Sequence, residues 1–206
     1  MNKFEKKQNA KVKKFYLKRN TKINFCVPNE TIFRLLGELN FNYKNKNCLD
    51  VGIGNGDNLL EFKRRGANIF GIDIRDKIIK KFVKNNRLSN KNFFHCDLNE
   101  SFPIIEKKID LCLMKDTLYY LSKERRYRLF SQIYKILKKN GFFLFQYIQE
   151  EFLLKEKNFF SYNFFNNSKK LRSYHIKSNP IAFIKKDEII NLISKSKFMI
   201  KKSIFD

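Results

Sequence analysis

The chain has 206 residues, enough for one domain with a sizeable core and too few for two full ones. Its net charge of +24 admits a nucleic-acid partner, yet its richness in Lys, Asn, Ile and Phe without Trp is the composition that an AT-rich genome imposes on any protein. Its longest apolar runs fall far short of a membrane span, and the basic start has no apolar stretch behind it, so neither a membrane protein nor a secreted one is expected.

In chain order, residues 1–20 read as a Lys-rich, partly exposed helix, a candidate lid whose Tyr16 and Arg19 could reach a bound ligand. A second helix begins at Pro28–Asn29 and carries Ile32, Phe33, Leu35, Leu36 and Leu39 on one broad face. "KNCLDV" then reads as a buried strand and "DNLLEFKRRG" as a helix closed by Gly66. "NIFGID" is the next strand, "DKIIKKFVKNN" the next helix, and "NFFHC" and "IDLCLM" are two further strands. "KERRYRLFSQIYKILKKNG" is predicted as a helix stopped by Gly141, followed by a strand over "FFLFQYI". Residues 150–180 lack a period and read as an insertion or cap; "KKDEIINLISKSK" returns to helix, and "FMIKKSIFD" reads as a last strand.

Short, continuously apolar strands alternating with amphipathic helices predict βαβ units, hence a doubly wound α/β fold with a mostly parallel, Rossmann-like sheet. The expected organisation is a helical cap over 1–40, a core over 41–149 and a cap insertion with the final helix and strand over 150–206, all one domain. Cys26, Cys48, Cys96 and Cys112 show no C-x-x-C spacing, and three lie in or beside strand-like runs. Reduced, buried thiols in a cytoplasmic protein are expected.

"LDVGIGNGDNL" places Gly52, Gly54 and Gly56 in a strand-turn-helix. Glycines there permit positive φ and close approach to the backbone. The spacing is neither the G-x-G-x-x-G dinucleotide fingerprint nor a Walker loop. Asp50 precedes the turn, Asp73 ends the second strand and Asp97 follows the third. A carboxylate at the second position can accept both hydroxyls of a ribose, and one at the third can accept from an adenine amine, with Ile74 and Leu98 as apolar neighbours of a purine. Each carboxylate could instead cap a turn or a helix.

Asp50-Val51-Gly52-Ile53-Gly54-Asn55-Gly56, Gly71-Ile72-Asp73-Ile74 and Cys96-Asp97-Leu98, taken in order, resemble the successive motifs of class I S-adenosylmethionine-dependent methyltransferases. "DLCLMKDTLYYL" resembles that family's fourth strand and following loop. "IYKILKKNGFFLF" resembles its turn into strand five, with Lys139 and Asn140 where proline and glycine are common. The resemblance covers about Pro28 to Gln149. It implies S-adenosylmethionine as cofactor, its tail admitted by the glycine turn, its ammonium side near Asp50, its ribose on Asp73, its adenine on Asp97, and Lys115 where backbone closes over the adenosine.

The layout is most like that of the small-molecule methyltransferases, so an oxygen or nitrogen of a small molecule is the expected methyl acceptor. Asp116, Tyr119 and Tyr120 after strand four, and His175 in the cap, are candidates for the acceptor's base. His95 is expected to be a packed edge residue, and the two histidines are not spaced for a metal, so none is expected. Cys112 falls inside a strand and should be inert. The alternative acceptor is RNA, held by the basic N-terminal helix and the aromatic 152–165 stretch. A third reading is a non-catalytic binding protein on the same fold. With one strand after the last helix where the family has two, an open sheet edge would favour a homodimer.

Overall fold

A computed structural model of the chain describes residues 28–147 and 184–203. The N-terminal helix with Tyr16 and Arg19, and the cap with its 152–165 stretch and His175, lie outside the described residues. Those described fall into two compact units, 28–115 with 136–145, and 116–135 with 146–147 and 184–203.

The first unit opens with helix α1 (Glu30–Glu38), whose start is set by Asn29: its side chain accepts from the Ile32 amide at 3.1 Å. The apolar face then buries Ile32, Leu35 and Leu36. Strand β1 (Asn47–Val51) leads through the glycine turn into α2 (Asp57–Arg64). Gly66, at φ +90°, ends α2 as the sequence predicts. The Ala67 amide reaches back to the Phe62 carbonyl and the Gly66 amide to that of Lys63, satisfying carbonyls the helix leaves open. Strand β2 (Asn68–Asp73), helix α3 (Asp76–Asn85), the short strand β3 (Phe93–His95) and strand β4 (Ile109–Met114) follow. After helix α4 (Lys123–Ile136) of the second unit, β5 (Leu137–Phe145) completes the five strands.

The sheet order is β3-β2-β1-β4-β5 and every neighbouring pair is parallel. This is a doubly wound α/β sheet, and its order reverses direction between β1 and β4. Asp50 pairs in register with Gly71 of β2 on one side and Leu113 of β4 on the other. In such a sheet the carboxyl ends of the strands open a crevice at the reversal, where ligands bind. The core of this unit includes Leu36, Cys48, Leu59, Phe62 and Leu111.

Two boundaries differ from the sequence reading. Helix α4 stops at Ile136, not Gly141, and β5 starts at once. The strand carries a register shift opposite Ile109 and Leu111, with Asn140 at φ +62°. Lys138 is drawn out of the helix by Asp110, whose carboxylate oxygens lie 2.8 and 3.0 Å from its ammonium. The Asn47 amide at 2.8 Å and Lys46 at 3.5 Å complete that cluster. Partial burial pushes the Asp110 carboxyl up, but these hydrogen bonds and the two lysine charges outweigh it and hold the group below the usual carboxylate range.

The expected last strand is also absent over 198–203. In the second unit the Phe198 ring packs edge-on against Phe130 and Tyr134 of α4, at 6.2 and 5.4 Å, and residues 199–203 pair with no strand among the described residues. That unit further contains α5 (Lys186–Lys195), whose Glu188 accepts a hydrogen bond from the buried Arg126 of α4. Among the described residues no helix is long and apolar enough to cross a membrane.

Candidate functional site

The turn after β1 is held by β2: the Gly52 and Ile53 amides both donate to the Ile72 carbonyl, at 2.8 and 3.1 Å. Gly52, Gly54 and Gly56 all adopt positive φ, +92°, +59° and +85°. They do so for different reasons. A Cβ on Gly56 would lie 2.0 Å from the Phe82 ring of α3, so this glycine is demanded by the protein's own packing. Among the described residues a Cβ on Gly54 would meet nothing nearer than the Gly52 carbonyl at 4.0 Å. Gly71, in the middle of β2, is likewise filled from within, by the Ile53 side chain at 2.4 Å.

Parallel strands carry the predicted carboxylates to one edge of the sheet: Asp50 in β1, Asp73 at the end of β2, and Asp97 just past β3. Lys115 follows β4 at the same edge. Asp50 is 2% exposed, and among the described residues its Oδ1 has no hydrogen-bond partner. Burial pushes its carboxyl well above the ordinary value, the Asp73 charge adds to this, and the Lys115 ammonium pulls part of it back. An orphaned carboxylate oxygen this deep is costly, and a ligand donor would relieve it.

Asp73 is 5% exposed, and its carboxylate takes bonds from both the backbone and the side chain of Arg75 and from the Gly54 amide. It does not cap α3, whose N-cap is Arg75 without a side-chain bond. Arg75 was not among the residues that the sequence singles out, because a charged residue before a helix reads as solvated surface. Asp97, half-buried, accepts from the Asn99 amide at 3.0 Å. Ile74 and Leu98 are both half-buried. His95, expected as a packed edge residue, is instead exposed, and its Nε2 lies 3.1 Å from the Ile74 carbonyl oxygen.

Asp116, Tyr119 and Tyr120 belong to the second unit. Asp116 has φ +54°, a conformation that non-glycine residues seldom hold. Tyr119 is buried, its ring 4.5 Å from that of Tyr120. Cys112, at the centre of β4, is buried, and burial raises its thiol well above the usual range, which makes it a poor nucleophile. Among the described residues no group of three or more His, Cys, Asp or Glu could hold a metal ion. A pocket of about 260 Å³ lies beside Lys46, Asp110 and Asn140, at the amino ends of the strands and so opposite the glycine turn. The Asp110 ion pairs there hold strands together.

Residues 49–145 match the family model of the methyltransferase domain, a span that contains the glycine turn and all three carboxylates. That stretch, a little under half of the chain, is similar to a methyltransferase domain. A phosphoethanolamine N-methyltransferase of Plasmodium falciparum is 33% identical to it over 117 residues, 54% of this chain and 42% of that protein. The chain therefore spans less than half the length of this curated relative. The solved structure of an S-adenosylmethionine-dependent methyltransferase from Mesorhizobium loti shares the fold, with a TM-score of 0.65 at 16% identity over 82% of each chain. So does phosphoethanolamine N-methyltransferase 1 of Haemonchus contortus, with a TM-score of 0.66 at 16% identity, covering 94% of this chain and 41% of that one. The Haemonchus structure was solved with phosphoethanolamine and S-adenosylhomocysteine. The chemistry of these residues is compatible with S-adenosylmethionine, which carries an ammonium and no phosphate: among the described residues Asp50 Oδ1 is an acceptor without a partner, and no side chain crowds the backbone at Gly54.

Proposed function

We propose that the protein moves a methyl group from S-adenosylmethionine to an oxygen or nitrogen of a small molecule. The observation that carries this reading is the methyltransferase-domain match over residues 49–145. In this reading Asp50 receives the ammonium side of the cofactor, Gly52 and Gly54 admit its tail, and Gly56 keeps the turn's shape. Asp73 accepts the ribose hydroxyls and Asp97 the adenine amine, while Ile74 and Leu98 flank the purine and Lys115 contributes the backbone beside the adenosine.

The bound cofactor supplies a methyl group on a sulfonium, which leaves readily when displaced in line. The chain's own residues then contribute alignment, and where the acceptor carries a proton, a base to take it. Asp116 and Tyr119 stay the candidates for that base, with His175 beyond the described residues. The amine of phosphoethanolamine is the first acceptor to test, a choice supported by the relative that is 33% identical over about half of this chain. Three free, buried cysteines support a reducing, cytoplasmic setting.

The decisive experiment is calorimetric titration with S-adenosylmethionine. Wild type is expected to bind at micromolar concentration, and Asp73→Ala, folded by circular dichroism, to bind at least about tenfold more weakly, since a charge-assisted pair of bonds is lost. If neither the folded wild type nor a folded variant that frees Asp73 of the Arg75 side chain binds, the reading falls and the non-catalytic alternative comes forward.

A further inference from the structure

The acceptor capacity of Asp73 is full. An ionised carboxylate offers about four acceptor positions on its two oxygens. Oδ1 receives the Arg75 amide at 2.9 Å and Arg75 Nε at 3.0 Å; Oδ2 receives the Gly54 amide at 3.1 Å and Arg75 Nη2 at 3.1 Å. Two of these donors are main-chain amides, fixed by the turn after β1 and by the bend before α3. The other two sit on one rotatable side chain, whose guanidinium forms a two-pronged pair with the carboxylate. The Arg75 side chain is only 10% exposed, so it fills space at the carboxyl end of β2 as well as bonding there.

A ribose diol needs two acceptor positions on this carboxylate. The backbone amides cannot leave without undoing the turn, so only the Arg75 side chain can make room. We propose that Arg75 is a built-in competitor for the cofactor's ribose: its guanidinium occupies the two positions on Asp73 that the hydroxyls need, and binding requires it to swing away. The inference rests on the reading of Asp73 as the ribose acceptor. In the ligand-free protein the pair neutralises Asp73 beside the buried Asp50, and cofactor binding exchanges one set of bonds for another. The affinity is therefore a difference between two interactions with the same carboxylate. Had Arg75 served only to hold Asp73 in place, its removal would weaken binding. A competitor's removal strengthens it, and the sign separates the two roles.

The test is titration of the full chain with S-adenosylhomocysteine, using wild type, Arg75→Met, Arg75→Lys, Asp73→Ala and the double variant Asp73→Ala with Arg75→Met. Methionine keeps much of the stem's bulk without donors; lysine keeps the charge without the fork. Arg75→Met is expected to bind at least about tenfold tighter than wild type, Arg75→Lys to fall between them, and the Arg75→Met gain to vanish in the Asp73→Ala background. Melting curves without ligand check folding, and if Arg75→Met does not fold, the tighter binding of Arg75→Lys carries the test. Binding to Arg75→Met where wild type shows none also supports the competitor. Wild-type binding that the Arg75 variants match or fall below overturns it and leaves the cofactor site standing. If neither wild type nor any folded Arg75 variant binds, the cofactor reading falls and the competitor with it.

Discussion

Two aspartates of one sheet, Asp50 and Asp110, are pushed in opposite directions by what surrounds them. Asp110 has two lysines and an amide to satisfy it, whereas Asp50 is buried and its Oδ1 has no partner among the described residues. Because folding raises the Asp50 carboxyl above its ordinary value of 3.8, the native state holds a proton there that the unfolded chain has already lost. Stability from this group is therefore intact below about pH 3.8 and declines as pH rises towards the folded value, above which the full penalty applies. Asp50→Asn removes the titration. In the absence of cofactor it is expected to melt higher than wild type at pH 8, by an amount on the order of 1–3 kcal/mol, and the gap should close at acid pH. A gap that does not change between pH 4 and pH 8 would refute the assignment. The position of Asp50 was legible in the sequence, as an acid one residue short of a strand's end. Its lack of a partner among the described residues was not, because that depends on which groups the neighbouring strands and loops bring to it. Arg75 was illegible for a related reason: nothing local marks a pre-helix arginine that folds back two residues instead of pointing to water.

At the level of elements, the glycine turn serves two masters that its spacing alone does not separate. Gly56 lets α2 start against α3, with the Phe82 ring where a side chain would be. Gly54 has no such neighbour among the described residues. Alanine at Gly56 would combine left-handed strain with a collision into an aromatic ring, a cost of about 2–5 kcal/mol. Alanine at Gly54 carries the strain alone, about 1–2 kcal/mol, and obstructs whatever approaches the backbone there. Thermal melts should rank Gly56→Ala well below Gly54→Ala, while titration with S-adenosylmethionine should find Gly54→Ala folded and impaired in binding. Equal melting losses would mean that Phe82 yields easily and that the distinction is false. The strands were readable because a strand buried on both faces is a continuous apolar run. The end of α4 was not, since "KILKKNG" continues a helical pattern and the break is decided by Asp110, 28 residues before the Lys138 it captures. The missing last strand has the same character: Phe198 is spent on the aromatic cluster of α4, which alternation along the chain cannot reveal.

For the whole molecule the open matter is what the charge of +24 means. Were RNA the acceptor, lysines would need to gather where a strand lies beside the cofactor, and neutralised phosphates would give a steep loss of binding with salt. The carboxyl edge of the sheet, where the cofactor is proposed to bind, shows the opposite sign: Asp50, Asp73 and Asp97 stand there, with Lys115 and with Arg75 already engaged by Asp73. The clustered lysines Lys46 and Lys138 are engaged at the other end of the strands, by Asp110. Charge spread over the surface by composition produces weak, salt-sensitive attraction to any polyanion without directing a methyl group to it. The protein, supplied with methyl-labelled S-adenosylmethionine, total RNA and phosphoethanolamine together at physiological salt, is therefore expected to place the label in the low-molecular-mass fraction. Raising the salt should strip RNA from the protein without slowing that transfer. Label in RNA that falls away as salt rises, with a slope equivalent to several phosphates, would reverse the assignment of acceptor and make the basic surface part of the site.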